Sequence, residues 1–260
     1  MGAEELLYRV EGGVATLALN RPERRNAVNG VVLRGMMARL EEVDRDEAAR
    51  VLVITGTGEK AFCAGADLTQ IQGAGVIGMH DARGTLVDFV RRLRRLSKPV
   101  VARVNGAALG GGLGLALACD ITVAADTATF GTPEIELGLF PMMIMPLIFQ
   151  HATHRKRALE MVLTGQRLSA AEAQSLGFAT RVVAAADLDR AVAEVCERLV
   201  SKSPAVLRLG REAYHRMADL PTDAAFDYLK GMLTLNTLTE DAAEGVTAFL
   251  EKRKPSWKGI

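Results

Sequence analysis

The chain has 260 residues, of which 49% are hydrophobic and 24% are charged, and its formal net charge is +1. This composition predicts a globular protein with a substantial core, and the near-neutral charge excludes a general attraction to nucleic acid or membrane surfaces. Three widely spaced cysteines and four histidines without metal-ligand spacing argue against a disulfide framework and a metal site. We therefore expect a cytoplasmic protein, without any apolar run of the ~20 residues that would span a membrane.

The first half of the chain alternates short apolar runs with amphipathic stretches. Residues 6–10 and 14–19 flank Gly12-Gly13, which predicts a β-hairpin. Buried strands are predicted at 51–55, 100–104 and 121–124, and helices at 29–43, 81–96 and 113–118. Repeated strand-strand-helix units of this kind favour an α/β fold with a buried sheet.

The second half of the chain, after Pro141, has a helical pattern. Helices are predicted at 154–163, 188–200, 204–217 and 222–252. A capping box at Ser169 and Glu172 predicts the start of one more helix. We place a boundary near Ser201, with residues 1–200 as the α/β core and 201–260 as a helical region. The polar, glycine-rich segment 69–84 is predicted to be a mobile lid.

Two glycine-rich turns are candidates for ligand contact through the main chain. In Ala64-Gly-Ala-Asp67, small residues let a ligand approach closely and leave an N–H free to donate. In Gly110-Gly111-Gly112, a strand-to-helix turn presents N–H groups and a helix dipole, which suits a developing oxyanion. The alternative for the first segment is a tight turn that packs against a neighbour. The alternative for the second is that its glycines serve only close packing of the helix. Both alternatives stay open.

Two carboxylates lie in the apolar stretch 130–141, at Glu134 and Glu136. Burial would raise a glutamate pKa toward a value useful for proton transfer. The alternative is that both are surface acids, and that alternative fits Glu136 better than Glu134.

These segments, taken in order, resemble the enoyl-CoA hydratase/isomerase (crotonase) family over nearly the whole chain. The resemblance includes Asn20-Arg-Pro22 with Asn26-Ala27 near the start and Phe249-Leu-Glu-Lys-Arg-Lys-Pro255 near the end. It implies a spiral of ββα units, with residues 201–260 forming helices that mediate a homotrimer or hexamer. It further implies an acyl-CoA thioester substrate, with coenzyme A entering as part of that substrate and no separate cofactor.

The resemblance also implies roles for individual residues. The N–H groups of Ala66 and Gly111 would form an oxyanion hole for the thioester enolate, and Glu134 would be the acid/base. Typical hydratases carry another glutamate where this chain has Gly114. Hydration divides its proton transfers between two carboxylates, whereas Δ3-Δ2 isomerisation needs one, and both activities stay open. Restoring the carboxylate by Gly114→Glu is expected to raise hydration, and the alternative outcome is a clash that costs stability, because the helix is built around glycine at this position.

Glu136 could replace the missing carboxylate if the segment were extended, because it would then point to the same side as Glu134. Met142 and Met143 would either shape an acyl pocket or belong to ordinary core. By resemblance, the residues near coenzyme A would be Arg24, Arg25, Ala64, Asp67, Leu68 and Lys252.

Other functions remain compatible with the same motifs. A decarboxylase, a thioester hydrolase or a ring-processing enzyme could use the same oxyanion hole. A non-catalytic acyl-CoA-binding protein is the alternative of a different class, and Glu134 argues against it because a binder needs no buried carboxylate.

Overall fold

A computed structural model of the protein describes residues 4–70 and 75–260, and the elements below lie within those ranges. The strands are β1 (Leu6–Glu11), β2 (Val14–Leu19), β3 (Val51–Gly56), β4 (Ala61–Cys63), β5 (Val100–Val104), β6 (Ala107–Leu109), β7 (Ile121–Ala125), β8 (Thr129–Gly131), β9 (Leu168–Ser169) and β10 (Arg181–Val183). The α-helices are α1 (Gly30–Arg45), α2 (Val76–Arg94), α3 (Gly111–Ala118), α4 (Met145–His151), α5 (Arg155–Thr164), α6 (Ala170–Ser175), α7 (Leu188–Val200), α8 (Pro204–Met217), α9 (Thr222–Thr237) and α10 (Glu240–Leu250).

The strands form a six-stranded sheet of order β1-β2-β3-β5-β7-β10 and a four-stranded sheet of order β4-β6-β8-β9. The pairs β1-β2 and β8-β9 are antiparallel, and the other pairs are parallel. Successive units β3-β4-α2, β5-β6-α3 and β7-β8-α4 each place one strand in each sheet. From one unit to the next, the strands therefore occupy the next position in each sheet. This order confirms the prediction of an α/β fold with repeated strand-strand-helix units.

The main core is formed by residues of the two sheets and of helices α1 to α6. Every residue of β3 is buried, as expected for a central strand with both faces covered. Helix α3 is buried from Gly112 to Ala118, because its residues are apolar or glycine on every side. A helix enclosed in this way holds its first turn at a fixed point, and that first turn is one half of the candidate site.

Several local predictions are confirmed. Gly12 and Gly13 both have positive φ and join β1 to β2, as the turn chemistry requires. The helix predicted at 29–43 is α1, and the Asn29 side chain caps it by accepting a hydrogen bond from the Val32 N–H. The capping box of Ser169 and Glu172 opens α6.

Other predictions are wrong in ways that the structure explains. Residues 222–252 form two helices, because the Thr239 side chain caps a new helix by accepting from the Ala242 N–H. Of the predicted lid 69–84, residues 71–74 lie outside the described residues and residues from Val76 onward begin α2, so its role as a mobile lid stays a prediction. The short strands β4, β6 and β8 were missed, since three residues carry no readable periodicity.

The C-terminal helices carry an apolar surface. Every residue of α9 is at least partly exposed. The large apolar side chains exposed on or beside α9 and α10 are Phe226, Leu233, Leu235, Leu238, Val246, Phe249 and Leu250.

Among the helices that the structure describes, none is long and apolar enough to cross a membrane. The split between residues 1–200 and 201–260 stays a prediction.

Candidate active site

The two predicted glycine turns meet in the structure. A Cβ built on Gly65 would lie 3.0 Å from the carbonyl oxygen of Leu109 and 3.1 Å from the nitrogen of Gly111. Gly65 has φ +94°, which an L side chain rarely adopts. Glycine at this position therefore permits the loop after β4 to contact the turn that leads into α3.

The Ala66 N–H is left free by the pairing of its neighbours. Val28 and Ala66 form an isolated parallel bridge, in which the Val28 N–H donates to the Gly65 carbonyl (2.8 Å) and the Asp67 N–H to the Val28 carbonyl (2.9 Å). In a parallel bridge of this type, the central residue directs its own N–H away from its partner. No described residue accepts a hydrogen bond from the Ala66 N–H.

The other N–H groups of this loop are engaged. The Ala64 N–H donates to the Arg25 carbonyl (3.0 Å), and the Gly65 N–H to the Cys63 sulfur (3.4 Å). Burial raises the pKa of the Cys63 thiol to about 11, so it is protonated at neutral pH. Cys63 thus helps to hold the loop and is a poor nucleophile.

Gly111 supplies the second free N–H. It is the first residue of α3, so its N–H has no acceptor within the helix. A Cβ built on Gly111 would lie 3.9 Å from the nitrogen of Ala66, so the two turns bring the two donors close together. The partial positive charge at the start of α3 adds to their attraction for an oxyanion.

The Glu134 carboxylate lies against the same turn. A Cβ built on Gly110 would be 2.6 Å from Glu134 Oε1. Glu134 Oε2 is buried and has no hydrogen-bond partner among the described residues. Burial raises the pKa of Glu134 above its ordinary value, which favours a group that exchanges protons near neutral pH.

Gly114 lies one turn further along α3 and is covered by a side chain. A Cβ built on Gly114 would lie 3.1 Å from the Cβ of Ile144 and would overlap its Cγ2 methyl group. Ile144 is 4% exposed and belongs to the core. The structure therefore leaves no room for a carboxylate at position 114 unless Ile144 moves.

The structure corrects the extended conformation considered for Glu136. Residues Pro133–Leu137 form a 3-10 helix, so Glu134 and Glu136 do not point to the same side. Glu136 is exposed, and its Oε1 lies 3.1 Å from the position of a Cβ built on Gly165, at the end of α5. Glu136 does not replace the missing carboxylate.

The two methionines after Pro141 are not core residues. Met142 is 67% exposed and Met143 is 37% exposed, whereas the buried apolar residues of this segment are Ile144, Leu147 and Ile148. The core alternative is wrong for both methionines, and a role for them in an acyl pocket stays a prediction.

The residues expected near coenzyme A lie in two regions. Arg24, Arg25 and Leu68 are exposed near the start of the chain and next to the loop after β4. Lys252 follows α10, and within the part of the chain that the structure describes no hydrogen bond joins it to that region. Their contacts with the ligand, and those of the backbone at Ala64 and Asp67, stay predictions.

Sequence reasoning missed Arg21. Its guanidinium is buried and makes an ion pair with Asp67 at 2.8 Å and with Glu5 at 3.0 Å. The sequence signal was the short motif Asn20-Arg-Pro22, which carried the family resemblance but suggested no role for the arginine.

Comparison with known proteins identifies the family. The model of the enoyl-CoA hydratase/isomerase family matches residues 9–260. The chain belongs to the enoyl-CoA hydratase/isomerase family. It is 36% identical to a probable enoyl-CoA hydratase of Rhizobium meliloti, with 99% of each chain covered. It is 34% identical to the short-chain-enoyl-CoA hydratase of Clostridium acetobutylicum, covering 98% of this chain and 97% of that one.

Solved structures of the enoyl-CoA hydratase/isomerase family show the same fold. The enoyl-CoA hydratase of Mycobacterium smegmatis superposes with a TM-score of 0.94 at 33% identity, covering 98% of this chain and 99% of that one. The predicted crotonase-like fold is thereby confirmed, and the protein is an enzyme of this family.

Proposed function

We propose that the protein processes acyl-CoA thioesters by moving a proton between the α and γ carbons of an enoyl chain, which shifts the double bond from Δ3 to Δ2. In this proposal the N–H groups of Ala66 and Gly111 hold the thioester oxygen, and Glu134 transfers the proton. Two donors without acceptors among the described residues, beside a half-buried carboxylate whose Oε2 atom is buried, support this assignment.

The chemical step needs one base that takes a proton and returns it. Glu134 removes a proton from the α carbon, and the C–H electrons spread over the dienolate up to the thioester oxygen. The two N–H groups stabilise the charge on that oxygen, and losing one such donor typically costs ~10²–10³ in rate. Protonated Glu134 then delivers the proton to the γ carbon, so the atoms and charges balance without water.

The single observation that carries the choice of isomerisation is the pair Gly114 and Ile144. Hydration needs a carboxylate that holds and deprotonates water in addition to the one that protonates carbon. At position 114 the chain has no side chain, and the space above it is filled by a buried isoleucine. This apolar contact supports chemistry with one carboxylate.

Hydration is the second candidate, and the names of the relatives favour it. The curated relatives include a short-chain-enoyl-CoA hydratase, a 2,3-dehydroadipyl-CoA hydratase and a crotonyl-CoA hydratase, at 33–35% identity. For this chain to hydrate at a useful rate, Glu134 would have to activate water and protonate carbon in turn.

A panel of acyl-CoA thioesters, analysed by chromatography and mass spectrometry, separates these candidates. Conversion of a Δ3-enoyl-CoA into its Δ2 isomer, with little addition of water to the product, is the expected result. Rapid addition of water to a Δ2-enoyl-CoA without isomerisation would overturn the proposal in favour of hydration. Turnover of other thioesters alone would favour the decarboxylase, hydrolase or ring-processing alternatives, and binding without any turnover would favour a binder.

We also propose that the protein assembles into a homotrimer or hexamer through its C-terminal helices. Phe249 is 82% exposed, Leu238 is 76% exposed and Leu250 is 73% exposed. Exposed apolar clusters of this kind mark protein interfaces, because leaving them in water forfeits about 25 cal/mol for each Å² that burial would cover.

A further inference from the structure

We propose that Arg21 and Asp67 are positioning residues that fix the direction of the Ala66 N–H. The inference rests on the proposed oxyanion hole and deepens it, because it names the side chains that aim one of the two donors. Neither residue needs to touch the substrate for this role.

Both oxygens of the Asp67 carboxylate accept hydrogen bonds within the protein. Its Oδ2 accepts from the Arg21 guanidinium (2.8 Å), and its Oδ1 accepts from the Thr69 hydroxyl (2.7 Å) and N–H (3.2 Å). The Thr69 hydroxyl, followed by the Arg21 guanidinium, holds the pKa of Asp67 below its ordinary value against the opposing effect of burial. The side chain is therefore charged at neutral pH, and both of its oxygens are held by hydrogen bonds from within the protein.

Arg21 joins both strands of the bridge that carries Ala66. One terminal nitrogen donates to the Ala27 carbonyl (2.7 Å), one residue before Val28, and the other donates to Asp67, one residue after Ala66. The Nε atom lies 3.0 Å from the Glu5 carboxylate, which forms a second ion pair. A planar guanidinium can make these three contacts at once, whereas a lysine ammonium cannot reproduce their fork geometry.

This arrangement matters because the bridge is short. Two backbone hydrogen bonds hold Val28 against Ala66, and the loop continues directly from Asp67 into the turn at Thr69. If the Asp67 anchor were lost, the peptide between Gly65 and Ala66 could rotate and turn its N–H away from the oxyanion position. Removing one partner of a buried ion pair also leaves the other charge buried and unpaired, which is strongly destabilising. We therefore expect a large effect on the segment that carries Ala66.

A merely structural ion pair would change stability alone, so the test uses a direct reporter of the hydrogen bond. The probe is a saturated acyl-CoA labelled with ¹³C at the thioester carbonyl, bound to the full-length protein and observed by NMR. Donation from two N–H groups to the carbonyl oxygen polarises it and moves its resonance downfield. The variants are Arg21→Lys and Asp67→Asn, with steady-state kinetics measured beside the spectra.

The matched control is Arg211→Lys. Arg211 pairs with Asp120 at 2.7 Å, and its side chain is 7% exposed, compared with 11% for Arg21. Arg211 lies on α8 and Asp120 follows α3 at the end opposite Gly111, so this pair matches in burial without contacting the loop. The control is expected to lower the melting temperature while the bound carbonyl resonance stays at its wild-type position.

Both site variants are expected to lose most of the downfield shift and to lower kcat by on the order of 10–100-fold, below the full loss of a donor. The dissociation constant of the saturated thioester should change much less than kcat. Glu5→Gln removes the ion pair between Arg21 and the more exposed Glu5, and it is expected to give a smaller loss of the downfield shift and of kcat. This variant is the test if Arg21→Lys and Asp67→Asn fail to fold.

The outcomes are distinguishable. A full wild-type shift in folded Arg21→Lys and Asp67→Asn, with only the melting temperature reduced, would overturn the positioning role and leave the oxyanion hole intact. Absence of a downfield shift in the wild-type complex would overturn the oxyanion hole, and this inference with it. The proposal is supported if the downfield shift of the bound carbonyl is lost in Arg21→Lys and Asp67→Asn but kept in Arg211→Lys.

Discussion

The Ile144 side chain covers Gly114 so closely that even a Cβ at position 114 would overlap its Cγ2 methyl group. Gly114 lies on α3 and Ile144 immediately precedes α4, so the contact joins two consecutive ββα units. Gly114 therefore permits this close packing. In the proposed function, it also leaves an apolar contact at the position where the family resemblance places the second carboxylate of a hydratase.

The Gly114→Glu variant alone is expected to lose stability without gaining hydration. Overpacking a core costs about 1–3 kcal/mol, and a charge placed among apolar side chains adds to that cost. Of the two outcomes expected from the sequence, the close contact with Ile144 thus favours the clash over a gain in hydration.

The double variant Gly114→Glu/Ile144→Ala is expected to recover part of that stability and to hydrate a crotonyl thioester faster than the wild type. A positioned acid or base contributes ~10²–10⁴-fold at its best, so a gain of about tenfold would be informative. Ile144→Ala alone is the control for the cavity, which should cost about 2–5 kcal/mol. A stable single variant with raised hydration would contradict the steric argument.

Replacing Glu134 by glutamine is expected to lower turnover by several orders of magnitude. The amide keeps the shape of the side chain but cannot take a proton, so affinity for the CoA thioester should stay nearly intact. Glu136→Gln, in the same 3-10 helix but directed at Gly165, is the matched control and should keep most of the wild-type rate. Steady-state kinetics with separate binding measurements decide the point, and an active Glu134→Gln variant would remove this residue from the mechanism.

The parts of the fold that follow from local chemistry could be predicted from the sequence. The Gly12-Gly13 turn and the capping box of Ser169 and Glu172 are each set by residues within a few positions of each other, so their sequence signals do not depend on distant contacts. The meeting of the Gly65 loop with Gly111 could be expected only through the family resemblance, because the two turns are far apart in the chain.

The parts that were missed depend on contacts between distant residues or on competing signals. Ile144 covers Gly114 across thirty positions of sequence, and Arg21 reaches Asp67 across a still longer interval. The Thr239 cap lies inside an apolar periodic stretch that looks like one continuous helix. Near Glu134, Pro133 starts a 3-10 helix, so the alternation expected of an extended segment never applies.

Assembly through the C-terminal helices gives a prediction about size in solution. Light scattering at micromolar concentration is expected to show a trimer or hexamer. The variant Phe249→Glu should shift the protein toward smaller species, because it places a charge in the centre of the proposed contact. Phe149→Glu, at another exposed phenylalanine on α4, is the control that keeps the added charge but lies outside the C-terminal helices. A monomeric wild-type protein would contradict the proposal.

The pKa of Glu134 gives a prediction about stability as a function of pH. Burial raises this pKa in the folded protein above its ordinary value of 4.5, so the folded state favours the protonated form. Below 4.5 the carboxyl is protonated in both states, and its contribution to stability is fully present. As the pH rises toward the folded pKa, the unfolded chain releases its proton first, and the free energy of unfolding falls.

Glu134→Gln removes this titration, so the inactive variant is expected to gain stability relative to the wild type as the pH rises above 4.5. The gain should level off above the folded pKa, because both states of the wild type are then ionised. Urea unfolding of the two proteins at one fixed protein concentration, from acidic to mildly alkaline pH, measures the difference without a contribution from assembly. If the difference in the free energy of unfolding between the two proteins stays constant or shrinks as the pH rises, Glu134 does not lie in a site that disfavours its charged form.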